Sequence, residues 1–197
     1  PLCLVGSEMC IRDRPYTYYD HFKSKRLVAP EYGGDGKKLA SNKYREPIYG
    51  LPAHWAPNDL LFYSGDMFPE RYKNGAFIAF HGSTNRSPYP QAGYLVGFIP
   101  FEEGLPSGDL EIFADGFAQV EVIKEMKDAK YRPMGLAEGP DGSLYISDSK
   151  KGKIWRVAFT ADKSSFTDEN LKVMELRKHL PHTVSYTHLT LPTTLQV

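Results

Sequence analysis

The stretch AFHGSTNRSPYPQAGY holds His81 and Arg86 in one short segment rich in Gly, Ser, Asn and Pro. An imidazole beside a forked guanidinium suits a planar polyanion, because Arg can give two parallel N–H donors to one carboxylate. The competing role is structural, with His81 capping the end of a strand and Arg86 serving as a solvated loop charge. A second candidate is Arg132, in AKYRPMGLAEGP. Standing before Pro133, it is expected to be extended and to lead into small residues that suit a crowded inner strand. It then either points into the mouth of a channel or is an exposed charge at the start of that strand. Asp141 is expected to serve its turn rather than a metal, Asp148 to bridge neighbouring units, and His54, in LPAHWAPND, to pack beside Trp55. Arg71 reads as an outer-loop charge of little consequence, and His21, His179 and His182 lie in polar flanks without a signal.

The elements that must hold these residues are short apolar runs separated by turn chemistry: DLLFYSG, NGAFIAFHGS, GYLVGFIPF, LEIFADGF, PDGSLYISD and GKIWRV. Each is of strand length, and Asn74-Gly75 and Asp141-Gly142 are turn dipeptides that feed straight into one. The pattern predicts strands near 59–63, 76–81, 94–99, 110–114, 133–138, 143–147 and 153–158, an all-β fold. NGAFIAFHGS superposes on DGSLYISDSK at an offset of 67 residues, and a Gly-led strand follows each, so His81 and Asp148 occupy equivalent places. A repeated unit of this kind reads as successive blades of a β-propeller, about two of them plus part of a neighbour. TDENLKVMELRKHL, at 167–180, begins with an N-cap and first-turn acids and predicts a short C-terminal helix. APEYGGDGKKLASNKYREP, at 29–47, reads as a long surface loop.

The two ends belong to neither pattern. Glu8 to Asp13 can be written GAG ATG TGT ATA AGA GAC, whose complementary strand encodes Val-Ser-Tyr-Thr-His-Leu, the residues Val184 to Leu189. One inverted repeat at both ends marks translated sequencing adapters, so 1–14 and 184–197 are expected to be adapter-derived and are set aside from fold reasoning. The division expected is therefore a partial propeller over 15–160 and a helical exit segment over 161–183. Both cysteines, Cys3 and Cys10, fall in the excluded head, which removes disulfides, CxxC zinc sites and covalent haem attachment from the remainder. Net charge is zero, so no basic field argues for nucleic acid or an anionic membrane surface. No apolar run approaches the ~20 residues that span a bilayer.

Taken in order, YGLPAHWAPNDLLFYSGDMFPERYKNGAFIAFHGSTNR, GYLVGFIPF, FADGFA and YRPMGLAEGPDGSLYISDSKKGKIWRV resemble the C-terminal part of sorbosone dehydrogenase-type proteins. These are related to quinoprotein glucose and pyranose dehydrogenases. The resemblance implies a six-bladed propeller that holds pyrroloquinoline quinone (PQQ) and calcium, and a reaction that oxidises a sugar or related alcohol. It implies His81, Arg86 and Arg132 as cofactor-binding residues. The catalytic base and the calcium loop are expected upstream, so this chain has no catalytic or metal residue of its own and should be inactive alone. A c-type cytochrome or quinone as electron acceptor, and a periplasmic or secreted location, are further implications. Two other readings stay open: a non-catalytic propeller scaffold, which needs neither His81 nor Arg86, and a propeller sugar-lactone hydrolase, which needs a ring of carboxylate and Asn ligands.

Overall fold

The computed structural model describes residues 16–20, 22–41, 47–177 and 193–196. It falls into two compact units, Pro1–Pro52 and Ala53–Val197. The first carries an antiparallel hairpin of β1 (Thr17–Asp20) and β2 (Lys25–Val28), registered Thr17 to Val28 and Asp20 to Lys25. Leu27 is buried and bridges Leu39, so the stretch read as loop from 29 lies partly along this hairpin.

The second unit is built on two four-stranded antiparallel sheets whose strands follow chain order. One contains β3 (Pro57–Phe62), β4 (Ala76–Phe80), β5 (Leu95–Ile99) and β8 (Glu111–Ala114). A small ribbon of β6 (Phe101–Glu102) and β7 (Leu105–Pro106) interrupts the path between β5 and β8. The other sheet contains β9 (Pro133–Glu138), β10 (Leu144–Asp148), β11 (Ile154–Phe159) and β12 (Thr193–Gln196). Among the described residues a single α-helix, α1 (Asp168–Arg177), lies within the segment expected to be helical. The fold is thus all-β with one short helix, and its seven predicted strands fall on β3, β4, β5, β8, β9, β10 and β11. Among the described residues the sheets close into no barrel or ring. Most of the two flanks read as adapter lies outside the described residues, but 193–196 forms β12 on the free edge of β11.

AFIAF and LVGFI are apolar at every position because β4 and β5 lie inside their sheet and are buried throughout. β3 is different: Leu60 and Phe62 are exposed on alternate positions, and the Phe62 ring meets Phe101 edge-on at 5.1 Å. Between the sheets lies one aromatic core of Tyr63, Phe68, Tyr72, Phe77, Phe98, Phe113, Phe117, Tyr131 and Trp155, joined by Leu144, Ile146 and Val157. Phe77 and Phe113 meet edge-on at 4.6 Å, and Trp155 takes Phe117 and Tyr131 on two sides at 4.9 and 5.2 Å. Each such side chain contributes about 1.5–3 kcal/mol by leaving water, and each well-placed ring pair roughly 0.5–1.5 kcal/mol more.

The two turn dipeptides do different jobs. Asp141-Gly142 makes the β9–β10 hairpin: Gly139 N donates to Ser143 O at 2.8 Å, and Gly142 sits at φ 80°, where an L side chain is strained. Asn74-Gly75 instead closes the base of a longer excursion between β3 and β4, with Asn74 N donating to Tyr63 O and Tyr63 N to Gly75 O. Arg71, in that excursion, corrects an expectation. Far from a loose outer charge, it makes a two-pronged pair with Glu111 at 2.7 Å on each oxygen and lies over the rings of Tyr72, Phe98 and Phe166. The partner lies 40 residues along the chain, and the stacking needs the aromatic core, so neither had a local signature. No helix among the described residues is long and apolar enough to cross a membrane.

Candidate functional site

The predicted site residues lie where the C-terminal end of β4 meets the start of β9. β4 stops at Phe80; His81 N then donates to Ala56 O and Gly82 N to Trp55 O, both at 2.9 Å. Gly82 has φ 89°, and a Cβ there would collide with the Tyr94 ring, so the turn that follows the strand requires glycine. Tyr94 in turn donates its hydroxyl to Ser83 O at 2.5 Å. Ser83 Oγ donates to Gln91 at 2.6 Å and accepts from Ala92 N, stitching the segment from 82 to 94 to itself.

Arg132 is only 7% exposed. Its Nε donates to His81 O at 3.0 Å and one terminal nitrogen to Gly82 O at 2.7 Å, and its guanidinium lies 5.4 Å over the Tyr94 ring. The main chain of Arg132 is fixed as well, its N–H donating to Asp148 at 2.6 Å. His81 is partly exposed, and its Nε2 lies 2.7 Å from Ser149 Oγ. Two residues that flank Pro133 and β10 therefore grip both the backbone and the ring of His81. Burial, followed by the charge of Arg132, pushes the His81 pKa below its ordinary 6.5. Burial lowers the Arg132 pKa and raises that of Tyr94, so the whole cluster resists further charge.

The structure brings His81 and Arg132 together. Arg86 is turned to its own loop, where it donates to Pro90 O at 3.0 Å and lies 5.8 Å over the Tyr89 ring. Asp148 accepts from Arg132 N and Lys151 N, both beside strands of its own sheet, so it holds a local turn where a bridge between neighbouring units was expected. Asp141 is held by the Ser143 backbone and hydroxyl and by Arg156; the Ser143 hydroxyl and then Arg156 keep its carboxyl well below the usual range. His54 does not pack as expected: it is exposed in the left-handed region at φ 66°, while Trp55 meets Phe80 edge-on at 5.3 Å.

Sequence reasoning missed Ser149 and Tyr94. Ser149 stands directly after Asp148 in the repeat, one place beyond the equivalent of His81, which was a usable signal; nothing marked Tyr94. A separate cleft of about 220 Å³ lies between Pro90–Tyr94 and Ala118–Ile123. Its walls are mainly apolar, with Glu121 as its carboxylate, so it does not suit an anion. No group of three or more His, Cys, Asp or Glu that could hold a metal occurs among the described residues.

The profile of the TrAA12-like family matches residues 20–160. A protein of Borreliella burgdorferi, described as "Uncharacterized protein", is 35% identical over 146 residues. That alignment covers 72% of this chain and 37% of the relative, so the chain spans little more than a third of the relative's length. Two structures of the Trichoderma reesei Carbohydrate-Active Enzymes Family AA12, an iodide and a calcium structure, are 22% identical. They cover 66% of this chain and 31% of theirs, with a TM-score of 0.45. The match corrects the sorbosone dehydrogenase resemblance: the family found is TrAA12-like. The blocks that carried the resemblance are largely strand and turn positions of β3, β4, β5, β8, β9, β10 and β11, which specify a structural unit more than a family.

Proposed function

We propose, from the premise that this chain belongs to the TrAA12-like family, that it is part of a carbohydrate-active oxidoreductase. The activity proposed is oxidation of a sugar or related alcohol with PQQ, and the two four-stranded sheets are proposed to be adjacent blades of a propeller. The observation that carries the reading is the His81–Arg132 cluster, a buried guanidinium locked beneath a partly exposed imidazole where two successive sheets meet.

The residues present fit a flat polycarboxylate in a divided way. Arg132 spends two nitrogens on the carbonyls of His81 and Gly82, so it contributes positive potential from below and fixes the shape of the turn. His81 and Arg86 are the groups that would hold carboxylate or carbonyl oxygens, Arg86 exchanging its single bond to Pro90 O. When bound, PQQ supplies a two-electron acceptor for hydride from a carbinol carbon. The proton of that hydroxyl needs a base, and the base is proposed to lie in another part of the protein, as is calcium.

The test is a PQQ titration of a family member of full length. Replacing the residue equivalent to His81 or to Arg132 by Ala should weaken PQQ binding, His81 through a lost direct contact and Arg132 through lost positive potential and a loosened turn. Unchanged affinity in both variants would remove the site from the reading.

A further inference from the structure

We infer that the lysine-bearing face formed by residues 124–132 and 148–153 binds the carboxylates of an acidic sugar chain, one built of uronic acid units, beside the His81 turn. The choice of a sugar among anions rests on the proposed reading of that site. The charge of the face and its placement do not.

The whole chain is neutral, with 24 basic and 24 acidic residues, yet these two stretches carry seven Lys or Arg against three carboxylates, a net charge of +4. They form one surface. Lys150 Nζ donates to Lys127 O at 2.8 Å and also to Ala129 O, and Ser149 N donates to Arg132 O at 3.2 Å. Lys130 and Lys153, one from each stretch, lie over the same buried Tyr131 ring at 5.3 and 5.4 Å. The border with the His81 turn is equally close. Ser149 Oγ lies 2.7 Å from His81 Nε2, and Arg132 clamps the carbonyls of His81 and Gly82.

The acids of this face are turned to other uses. Asp148 is buried and accepts from the main-chain N–H groups of Arg132 and Lys151, Asp128 accepts from those of Lys124 and Glu125, and Glu125 pairs with Lys127. Lys124, Lys130, Lys151 and Lys153 have no carboxylate partner among the described residues. A surface that need only stay solvated intersperses the two signs. Here three of the lysines are held by carbonyls and a ring, which fix them without cancelling their charge. An ammonium is a compact point charge and suits carboxylates met one at a time, as along a uronic acid chain. Tyr131, the sole aromatic residue of the two stretches, is buried, so they present no ring on which a nucleobase could stack. The exposed side chain of Met126 and the lysine stems offer apolar contact to the C–H faces of a pyranose. An anion that is also a sugar fits both the lysines and the oxidation proposed at their border.

The experiment titrates this chain, without PQQ, with the hexamer of galacturonic acid and follows the backbone amide shifts by NMR. Binding is expected, with shifts confined to 124–132, 148–153 and the His81 turn, and it should weaken roughly tenfold as salt rises from about 0.05 to 0.2 M. Maltohexaose, neutral and of the same length, should not bind. Lys127→Gln and Lys151→Gln together, at two exposed side chains, should weaken binding of the acidic hexamer several-fold and leave the melting temperature unchanged. No binding, shifts that lie elsewhere, or equal binding of maltohexaose would overturn the inference. A hexaglutamate peptide that bound as tightly with the same shifts would overturn it too, by showing that the face reads an acidic protein. Should the double variant not fold, the shifts and the salt response of the unaltered chain decide. Since neither PQQ nor turnover enters, failure here leaves the proposed cofactor site standing, and failure of PQQ to bind leaves these titrations unaffected.

Discussion

Replacing Arg132 by Ala tests the geometry on which both the fold and the site depend. The side chain gives two charge-assisted hydrogen bonds, to His81 O at 3.0 Å and Gly82 O at 2.7 Å, across 51 and 50 residues of chain. A hydrogen bond to a charged group contributes about 1.5–3 kcal/mol, and an acceptor left buried and unpaired costs roughly 1–3 kcal/mol. Against this stands relief of a guanidinium that is 7% exposed, whose burial is itself unfavourable. The net expectation is a loss of about 3 kcal/mol. For a chain of 197 residues that is a fall in melting temperature of roughly 6–12 °C. The local consequence is sharper than the global one. The amides of Gly82 and Ser83, which donate to Trp55 O and Ala92 O, should lose hydrogen-exchange protection before those of β4 do. Arg132→Lys should not rescue, since a single ammonium cannot fork across two carbonyls as the planar guanidinium does. A melting temperature within about 1 °C of the parent, with Gly82 and Ser83 protection unchanged, would refute the clamp.

Arg71→Met keeps the aliphatic stem but strands Glu111, and should cost about 2 kcal/mol in denaturant unfolding, between the values for exposed and buried pairs. Adding Glu111→Gln should recover part of it, and an equal or larger loss in the double variant would count against the pair. Tyr63→Phe removes a hydroxyl that donates to Gly142 O at 2.7 Å and accepts from Met67 N and Phe68 N. It should lower the denaturation midpoint by about 1–3 kcal/mol equivalent with the slope unchanged, and an unaltered midpoint would contradict the bond. His81 has its pKa lowered from 6.5, first by burial and then by Arg132, so between its folded and unfolded pKa values the unfolded chain binds more protons. Stability should therefore fall as pH drops below 6.5 and level off below the folded pKa, and His81→Gln should flatten that part of the melting-temperature profile. Parallel profiles for the two proteins would show that His81 does not titrate as argued.

What the sequence made legible, and what it did not, follows from the range of the forces involved. Strands β4 and β5 were legible because complete burial leaves an unbroken apolar run, and β10 because a Gly turn sets its start. The hairpin of β1 and β2 was not: TYYD and KRLV have no alternation that distinguishes them from loop, and it is their register, Thr17 to Val28 and Asp20 to Lys25, that shows them as a pair. His81 and Arg132 could be picked out by residue type, yet their roles depend on main-chain carbonyls, which every residue possesses and no pattern marks. An arginine that binds a ligand and one that binds a turn look the same in a sequence.

That ambiguity bears on how such a site works. A guanidinium free to reach a ligand would also be free to leave it, whereas Arg132 is bound on both sides, by carbonyls at its head and by Asp148 at its own N–H. Its charge is therefore set in place by the protein itself, and on the proposed reading no side-chain entropy would be lost at that residue when a ligand binds. Polar links between the sheets continue the same logic away from the site. Asp59 accepts from Leu136 N at 2.7 Å, and Glu138 from Ser64 N at 2.8 Å, so β3 and β9 are joined by carboxylate to main-chain bonds between adjacent sheets. Small errors of position at His81 would have to be absorbed through all of these links together. The aromatic core resists such movement, because its rings meet at fixed angles and leave few alternative packings. The His81 turn thus inherits its rigidity from the junction of two sheets, and a substitution in that junction should loosen the turn even where it touches neither His81 nor Gly82.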